Sequence, residues 1–430
     1  MYTFTLKKRE SVSQQTNKRK IVNDPLYGFI NISSDLIFDL IEHPYFQRLR
    51  RIRQLGLTNF VYPGANHTRF QHALGAMYLM DEAISILRSK GQAISDDEAE
   101  AVRIAILLHD IGHGPFSHAL EFSIIDNFTH EQLSLELMKA LNNEFHGKLE
   151  LAIKIFNNEY SKKFLHQLVS GHLDMDRLDY LKRDSFFTGV TEGVIGSDRI
   201  IKMLNVVNDE LVVDAKGIYS IEKFLIARRL MYWQVYLHKT VLAAENQLIL
   251  LLKRAKQLSL EGVELFATPP LLFFLKNKPN NDLTNIPNLD KPILDQFNLL
   301  DDTDIIASMK VWIQHPDKVL SFLATSLTHR ELFKVEIQSN EFDYAKIEYI
   351  RKKACEYYQI SVEESKFFVF SDSVSNNTYI PTNDNQIKIR YNNGSITDIA
   401  EASDMLNISV LSKVIEKHFL CYPKILKTLI

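Results

Sequence analysis

The stretch from Leu107 to His118, Leu-Leu-His-Asp-Ile-Gly-His-Gly-Pro-Phe-Ser-His, most constrains what this chain can fold into. His109 and Asp110 follow an apolar run, so a helix that buries its apolar face must carry both residues inward. A buried His–Asp pair needs a partner, because polar groups buried without one destabilise a fold. A His–Asp dipeptide alone is common, and the apolar and glycine-rich surroundings are what favour a functional site here.

The chain carries further metal-ligand types far from this stretch. His72 lies 37 residues before His109, and residues 173–180 include three aspartates. Ligands so far apart in sequence are typical of a helical bundle that brings them together at its centre. Two histidines and two aspartates suit Mn, Fe, Zn or Ni and tolerate Mg. The sequence therefore predicts one divalent metal ion in a helical core.

Composition excludes several classes of protein. Hydrophobic residues make up 46% of the 430 residues and charged residues 24%, which is typical of a globular protein. A net charge of -3 gives no overall attraction to nucleic acid. Two cysteines are too few for a disulfide framework and favour a cytoplasmic location. The chain shows no apolar run of membrane-spanning length and no signal-peptide block, so no membrane association is expected.

Four regions are expected along the chain. Residues 1–20 form a mobile basic tail and residues 21–267 a helical catalytic core. Residues 268–324 form a linker with helices, rich in proline and asparagine, and residues 325–430 an α+β domain. The predicted fold class is therefore mainly α, with a small hairpin in the core and a C-terminal α+β appendage.

Local signals place the main elements. Ser95 and Glu98 form a capping box, which opens a helix that ends just after His109 and Asp110. The other predicted elements are a hairpin over 206–213, a helix from Ser220 to about Gln257, a helix over 344–358, and strands over 367–370 and 386–391.

These motifs resemble the HD-domain phosphohydrolases, and within them the branch of deoxynucleoside triphosphate (dNTP) triphosphohydrolases that includes the sterile-alpha-motif and HD-domain enzyme. The resemblance covers about residues 20–255 and implies an HD-domain helical bundle that converts a dNTP to deoxynucleoside and triphosphate. The motifs that carry it are Asn23-Asp24-Pro25, Gln47 to Arg50, Gln54-Leu55-Gly56, Pro63-Gly64-Ala65, Arg69-Phe70-Gln71-His72, His109 to His118, His130-Glu131, Asp174 to Tyr180, Arg183-Asp184, and Tyr236 with His238-Lys239.

The resemblance implies the metal ligands His72, His109, Asp110 and Asp176. Asp174 and Asp179 are alternatives for the last of these. On a helix Asp176, Tyr180 and Asp184 share one face, since they are spaced i, i+4 and i+8. Asp179 lies to one side of that face and is suited to a structural ion pair.

The resemblance also implies catalytic and substrate contacts. Histidines would face the α-phosphate, and His118, oriented by Glu121, would protonate the leaving 5′-oxygen. Packing of Tyr236 would exclude a 2′-hydroxyl, and Asp184 would accept a hydrogen bond from the 3′-hydroxyl. The implied catalytic residues are His113, His118, His130 and Glu121. The implied substrate-binding residues are Gln54, Leu55, Arg69, Arg177, Tyr180, Asp184, Arg228, Tyr236 and Lys239.

Plainer alternatives stand beside these roles. His130 and Glu131 also suit the start of a helix, and the stripe Arg228, Tyr232, Tyr236 and Lys239 also suits the solvated face of one long helix. Leu237 departs from the glutamine that the closest relatives carry after this tyrosine, so a base-edge hydrogen bond is lost.

A second nucleotide site is expected near the N-terminus. Some members of the family bind an activating guanine nucleotide between subunits, which would make GTP or dGTP an effector and the protein a homo-oligomer, a dimer or a tetramer. The alternative is a structural helix with solvated arginines over 48–53. The implied effector residues are Lys20, Ile21, Asn23, Glu42, Gln47 and Arg50.

Three functions follow from these features. The first is the metal-dependent dNTP triphosphohydrolase. The second is another HD phosphohydrolase, a nucleotidase or phosphodiesterase, which needs only the metal ligands and some cations. The third is a non-enzymatic nucleotide or nucleic-acid binder. The basic tail, residues 48–53 and residues 253–256 would supply weak, salt-sensitive contacts to single-stranded nucleic acid.

Overall fold

The structure, a computed structural model, describes residues 20–116, 129–277, 291–376, 379, 386–404 and 414–429. Within these residues the chain is mainly helical, as the sequence predicts. The helices are α1 Asp35–Glu42, α2 Pro44–Gln47, α3 Arg69–Ser89, α4 Asp96–Leu108, α5 His130–Glu144, α6 Glu150–Phe156, α7 Lys163–Val169, α8 Met175–Thr188, α9 Ser197–Met203, α10 Ile218–Met231, α11 Lys239–Leu260, α12 Pro269–Lys276, α13 Lys291–Phe297, α14 Asp302–Trp312, α15 Lys318–Thr328, α16 Tyr344–Tyr358, α17 Val362–Ser365 and α18 Ile399–Ala402. The strands are β1 Ile21–Asp24, β2 Gly28–Asn31, β3 Leu204–Val207, β4 Glu210–Asp214, β5 Lys334–Gln338, β6 Phe370–Asn376, β7 Lys388–Arg390, β8 Ile396–Asp398 and β9 Ile415–Tyr422.

Helix α3 is the central element of the catalytic core. It packs against both α4 and α8, and thirteen of its residues are buried. A helix with so little exposed surface belongs to the interior of a bundle rather than its rim. The three helices α3, α4 and α8 therefore meet where the candidate ligands lie.

Helix α4 begins and ends as the sequence predicts. Its N-cap Ser95 accepts from the Glu98 amide at 3.1 Å, and the Glu98 side chain accepts from the Ser95 amide at 2.8 Å. The helix ends at Leu108, with His109 as its C-terminal cap residue. Since Leu107 and Leu108 are fully buried, the end of the helix delivers His109 and Asp110 to the interior.

The predicted hairpin is present as β3 and β4, joined by a turn at Asn208 and Asp209. Both turn residues have positive φ, 52° and 64°, which suits the two-residue turns of tight hairpins. The hairpin is extended across the chain, because β7 pairs in parallel with β4, Val213 opposite Ile389. The C-terminal region therefore completes a sheet of the catalytic core, in the order β3-β4-β7-β8.

Charged pairs join the two inner strands of this sheet. Glu210 on β4 accepts from Lys388 on β7, and Asp214 on β4 lies 2.8 Å from Arg390. These pairs fix the register between strands that are distant in sequence.

The long helix expected from Ser220 is interrupted, so that prediction is wrong in its middle. Residues 232–236 form a π-helical turn, closed by the Leu237 amide donating to the Tyr232 carbonyl at 2.7 Å. His238 then adopts an extended conformation, and its Nδ1 caps α11 by accepting from the Thr240 amide at 3.2 Å. The single stripe predicted from Arg228 to Lys239 therefore ends at the π-helical turn.

The C-terminal region is α+β, as expected. Strands β5, β9 and β6 form one antiparallel sheet, and α16 spans the residues predicted for it. The strand predicted at 367–370 is displaced, because residues 366–369 continue from α17 and β6 begins only at Phe370. Among the residues that the structure describes, no helix combines the length and the apolarity that crossing a membrane requires.

Candidate active site

Three of the four predicted metal ligands form one compact group. His72 on α3, His109 at the end of α4 and Asp176 on α8 each offer a ligand atom, and these atoms lie within 4.8 Å of one another. His72 Nε2 is 3.1 Å and His109 Nε2 is 3.6 Å from the same Asp176 oxygen. In the described part of the chain this is the one such group.

The two imidazoles are oriented as metal-binding histidines are. His72 Nδ1 lies 2.8 Å from Asp179, and His109 Nδ1 lies 2.6 Å from the Ile106 carbonyl. These contacts hold the proton on Nδ1 and leave Nε2 as the donor atom for a cation. Both Nε2 atoms are buried and make no hydrogen bond of acceptable geometry, as expected of nitrogens that would bind a divalent ion. The residues therefore fit a metal ion.

Asp110, the fourth predicted ligand, lies beside this group. One of its oxygens is 3.3 Å from His109 Nε2, and the other is 3.8 Å from His72 Nε2. The second oxygen is also paired with Arg69. Asp110 therefore joins the metal group to a buried cation.

The charges of the group favour a cation between its carboxylates. Burial opposes charging of His72, but the carboxylates of Asp176 and Asp179 outweigh it and raise its pKa to about 10. Burial raises the pKa of Asp176, but the facing His109 and His72 lower it well below its usual range. Asp176 and Asp179 thus both favour a positive charge on His72. A divalent cation bound at Nε2 would supply that positive charge in place of the proton.

Both alternative aspartates have structural roles. Asp174 is the N-cap of α8, accepts from the Arg177 amide at 2.7 Å and is fully buried. Burial raises its pKa to about 6, against the lowering effect of Arg177. Asp179 accepts from Arg183 at 2.8 Å as well as from His72. The structural ion pair expected for Asp179 is confirmed.

Close packing at Gly75 makes this ion pair possible. A Cβ on Gly75 would lie 2.1 Å from both Asp179 Oδ1 and Arg183 Nη2. Gly75 lies one turn after His72 on α3, so the helix can approach Asp179 only where a side chain is missing.

A second pair of histidines borders Asp110. His113 lies 3.3 Å from Asp110 and stacks on His130 with ring centroids 3.9 Å apart. Burial, together with the nearby charge of Arg69, lowers the pKa of His113 to about 3, so the ring is neutral at physiological pH. His118 and Glu121 lie outside the described residues.

The first turn of α5 is anchored to the metal group. Ser134 Oγ accepts from the Gly112 amide at 2.9 Å and donates to the His109 carbonyl at 2.6 Å. A Cβ on Gly112 would lie 2.3 Å from the His130 carbonyl and the Ser134 amide. The glycine therefore sets how closely His130 can approach His113.

An aromatic and carboxylate group continues along α8 from Asp176. Asp184 accepts from the Tyr236 hydroxyl at 2.7 Å and is 2.7 Å from His67 Nε2. Tyr236 contacts the edges of Tyr180 at 6.2 Å and Tyr232 at 5.2 Å between ring centroids. Tyr236 is partly buried, so it is not part of a solvated face.

The predicted phosphate-binding cations are divided among several sites. Arg177 is bound back to Asp174 and donates to the Gly171 carbonyl at 2.6 Å. Arg228 is buried, with its guanidinium 5.8 Å from the Tyr232 ring centroid. Lys239 is exposed and lines a cavity of about 250 Å³ against the C-terminal sheet. Arg69 differs from these three cations, because it forms an ion pair with the predicted metal ligand Asp110.

Gln54 and Leu55, the predicted sugar contacts, are partly buried. The backbone amide of Gln54 donates to the His67 carbonyl at 3.0 Å. The side-chain oxygen of Gln54 is buried without a hydrogen-bond donor. An unsatisfied acceptor of this kind is suited to a ligand hydroxyl.

The predicted effector residues are mostly at the surface. Lys20, Ile21, Asn23, Glu42 and Arg50 are exposed, and Gln47 is partly buried. Gln47 accepts from Arg50 at 2.8 Å and donates to the Ile41 carbonyl at 2.7 Å. Lys20 lies 4.5 Å from the Phe38 ring centroid and Arg50 3.5 Å from that of Phe70.

Arg48 is a structural residue that the sequence did not reveal, and the alternative of a solvated arginine is wrong for it. It is fully buried and donates to the carbonyls of Leu300, Ile111 and His113 at 3.1, 2.8 and 2.9 Å. Burial lowers its pKa to about 9. Of the basic run at 253–256, Arg254 and Lys256 are also buried.

Comparison with known proteins places this geometry in a family. The HD domain model matches residues 69–184, and the model of the HD associated region matches residues 195–264. The first range contains the four predicted ligands and Asp184, and the second contains the π-helical turn.

Three relatives define the extent of the similarity. A crystal structure of a phosphohydrolase from Bacteroides thetaiotaomicron VPI-5482 is 57% identical, with a TM-score of 0.90, and the match covers 94% of this chain and 99% of that one. The protein YwfO of Bacillus subtilis (strain 168) is 30% identical over 423 residues, 95% of this chain and 93% of that protein.

The third relative is the deoxynucleoside triphosphate triphosphohydrolase SAMHD1 homolog of Dictyostelium discoideum. It is 32% identical over 241 residues, which are 51% of this chain and 46% of that protein. The chain thus spans about half the length of this relative. The two matched family regions and the relatives aligned over nearly their whole length show that the chain belongs to the HD-domain phosphohydrolases.

Proposed function

We propose that this protein hydrolyses dNTPs to deoxynucleoside and inorganic triphosphate, with a divalent metal ion, Mn, Fe, Zn, Ni or Mg, held by His72, His109, Asp110 and Asp176. The observation that carries the proposal is the arrangement along α8. Asp176, Tyr180 and Asp184 occupy one face, and Tyr236 closes on the last two. The metal ligand Asp176 therefore lies one to two helical turns, roughly 5–11 Å, from an aromatic group of the size of a sugar.

This spacing suits a nucleotide whose α-phosphate lies at the metal group. A nucleotidase or phosphodiesterase site needs the metal ligands and cations alone. The aromatic and carboxylate group around Tyr236 has no use in such a site, whereas a deoxyribose offers it both an apolar face and a 3′-hydroxyl. The similarity to a dNTP triphosphohydrolase over 241 residues supports the same substrate class.

The residues divide the chemistry as follows. A divalent ion in this site would acidify a coordinated water and offset phosphate charge. We assign Arg69 and His113 to the phosphate oxygens, because both contact the proposed ligand Asp110 and His130 stacks on His113. Burial raises the pKa of Tyr180, and the nearby charges of Arg228 and Arg177 oppose that increase. We assign these two arginines, with Lys239, to the polyphosphate.

Bond breaking requires a proton at the 5′-oxygen. A water oxygen bonds to the α-phosphorus and loses one proton, the bond from that phosphorus to the 5′-oxygen breaks, and the leaving oxygen gains one proton, so that one water is consumed in each turnover. We assign this proton to His118, oriented by Glu121, by resemblance to the family. Gln54 and Leu55 would contact the sugar. Leu237 offers no hydrogen bond to a base edge, so we expect turnover of all four dNTPs.

The proposal is tested by incubating the purified protein with Mn²⁺ and each dNTP, each ribonucleotide, a nucleoside monophosphate and a phosphodiester. Products are separated by anion-exchange chromatography. Deoxynucleoside and triphosphate in equal amounts are expected, with at least a hundredfold loss in His109→Asn. His146→Asn is the matched control, because His146 is exposed and its φ of 58° suits asparagine.

The outcomes separate the two enzymatic functions. Release of phosphate from the monophosphate or cleavage of the phosphodiester, with no dNTP turned over, would overturn the substrate proposal and leave a different HD phosphohydrolase.

We also propose that GTP or dGTP activates the enzyme at the exposed residues Lys20, Ile21, Asn23, Glu42 and Arg50, in a homo-oligomer. Exposed cations and a carboxylate on the same N-terminal segment support a ligand with phosphates and a guanine edge. Adding GTP is expected to raise dATP turnover and the mass measured by light scattering. No change in either quantity with GTP or dGTP would refute this proposal and leave the hydrolase proposal intact.

A further inference from the structure

We propose that His67 is a positioning residue that sets the sugar selectivity of this enzyme by fixing Asp184, and through it the hydroxyl of Tyr236. The inference rests on the proposed function. His67 lies just outside the matched HD domain, two residues before its first position, and Asp184 is the last residue of that match.

The carboxylate of Asp184 is held from two sides. Its Oδ1 is 2.7 Å from His67 Nε2, and its Oδ2 accepts from the Tyr236 hydroxyl at 2.7 Å. The side chain of His67 is 0% exposed and that of Asp184 is 2% exposed. In such a buried pair each hydrogen bond strongly constrains the orientation of the carboxylate, because water cannot replace the donor.

The imidazole is itself locked in place. Its ring stacks on Phe187, with centroids 4.6 Å apart and planes within 16°. Phe187 follows Asp184 by three residues on α8, so one face of the helix provides both the stacking surface and the acceptor. His67 therefore has one orientation in which it donates to Asp184.

The segment that carries His67 also holds the backbone of the π-helical turn. The Tyr62 hydroxyl donates to the Gln234 carbonyl at 2.6 Å. At Gly64 a Cβ would lie 2.4 Å from the Phe187 carbonyl, so the segment lies directly on the end of α8. Residues 62–67 thus fix the turn that bears Tyr236 at two points, its backbone and its hydroxyl.

Selectivity follows from this arrangement. A phenol that rejects a 2′-hydroxyl by close packing must not move when a ribonucleotide enters. A free carboxylate would rotate and allow the phenol to swing away. His67 prevents this rotation and does not need to touch the substrate.

The test is His67→Phe, which keeps the ring and its stacking on Phe187 but removes the donor. The ratio of kcat/KM for dATP to that for ATP is expected to fall about tenfold, the effect of losing one hydrogen bond to a charged group. The affinity for Mn²⁺ in calorimetry should stay within about twofold, because His67 pairs with Asp184, which is not one of the proposed metal ligands. His67→Gln, which offers an amide donor, should recover part of the ratio.

Three further variants test whether the role of His67 is merely structural. Tyr236→Phe should lower the ratio, and the double variant with His67→Phe should lower it no further, because both act through Asp184. Phe187→Leu, which removes the stacking surface but keeps the donor, should lower the ratio less than His67→Phe does.

An unchanged ratio in His67→Phe, or independent and additive losses in the double variant, would overturn the proposal. If His67→Phe does not fold, a wild-type ratio in His67→Leu or His67→Ala would overturn it equally. Failure of the wild-type protein to turn over any dNTP is a separate result, which would refute the proposed function first.

Discussion

Replacing Arg48 with methionine is expected to destabilise the protein by about 3 kcal/mol and to lower its activity. Arg48 is fully buried and binds three backbone carbonyls. A buried carbonyl that loses its donor costs about 1–3 kcal/mol, so three such losses give roughly 3–9 kcal/mol. Removing a buried charge returns part of this, because burial is the largest of the effects that lower the pKa of the guanidinium to about 9.

The loss should reach the active site as well as the fold. Two of the three carbonyls, those of Ile111 and His113, belong to the turn that follows His109 and Asp110. Without Arg48 that turn loses its link to Leu300, and the His113 carbonyl loses its donor. We therefore expect kcat to fall about tenfold or more, since small misplacements of catalytic groups reduce rates strongly.

The assay is a urea titration followed by circular dichroism, together with dATP turnover at saturating Mn²⁺. Arg50→Met is the matched control, because Arg50 is exposed and two residues away; its free energy of unfolding should change by less than about 0.5 kcal/mol. Arg48→Lys should resemble the methionine variant, since one ammonium group cannot reach three carbonyls. Unchanged urea midpoint and activity in Arg48→Met would refute the reasoning.

Three further predictions concern other parts of the core. Asp179→Asn should weaken Mn²⁺ binding by about 10–100-fold in calorimetry, because it removes the carboxylate that orients His72; equal affinity would contradict that role. Gly112→Ala should lower the free energy of unfolding by at least about 2 kcal/mol in urea, because its Cβ has no room beside α5, and a stability equal to wild type would refute the close approach. Burial raises the pKa of Glu98, but hydrogen bonds from Lys162 and Tyr160 lower it to about 2. The stability that Glu98 contributes is therefore complete above about pH 4.5 and is lost as the pH falls through 2. Between pH 5 and pH 2 the free energy of unfolding of Glu98→Gln should fall by roughly 2 kcal/mol less than that of the wild type. Parallel plots of this free energy against pH would show that the carboxylate is not responsible.

Local signals in the sequence predicted much of the fold. The capping box at Ser95, the hairpin at Asn208-Asp209 and the helix 344–358 depend on neighbouring residues, so a single segment contains the information. The apolar run before His109 likewise indicated that the His–Asp pair would lie inside. The grouping of His72, His109 and Asp176 came from the family resemblance, and the structure brings these three together.

Long-range contacts account for what the sequence did not reveal. The interruption at Leu237 and His238 has no glycine or proline to mark it; the capping histidine was its one local sign. The roles of Arg48 and His67 depend on partners more than 60 residues away. The pairing of β4 with β7 joins two segments that the sequence analysis assigns to separate regions. It was not predicted, because the sequence of a short strand does not indicate its partner.

That last pairing has a consequence for the synthesis of the protein. Val213 pairs with Ile389, which is made 176 residues later. At a translation rate of 5–20 residues per second, β4 waits roughly 10–35 s for its neighbour. During that time its open edge could recruit another nascent chain, as unpaired strand edges do. Glu210 and Asp214, at the two ends of β4, place a negative charge on that edge. The same carboxylates that later bind Lys388 and Arg390 therefore discourage aggregation before those lysine and arginine residues exist.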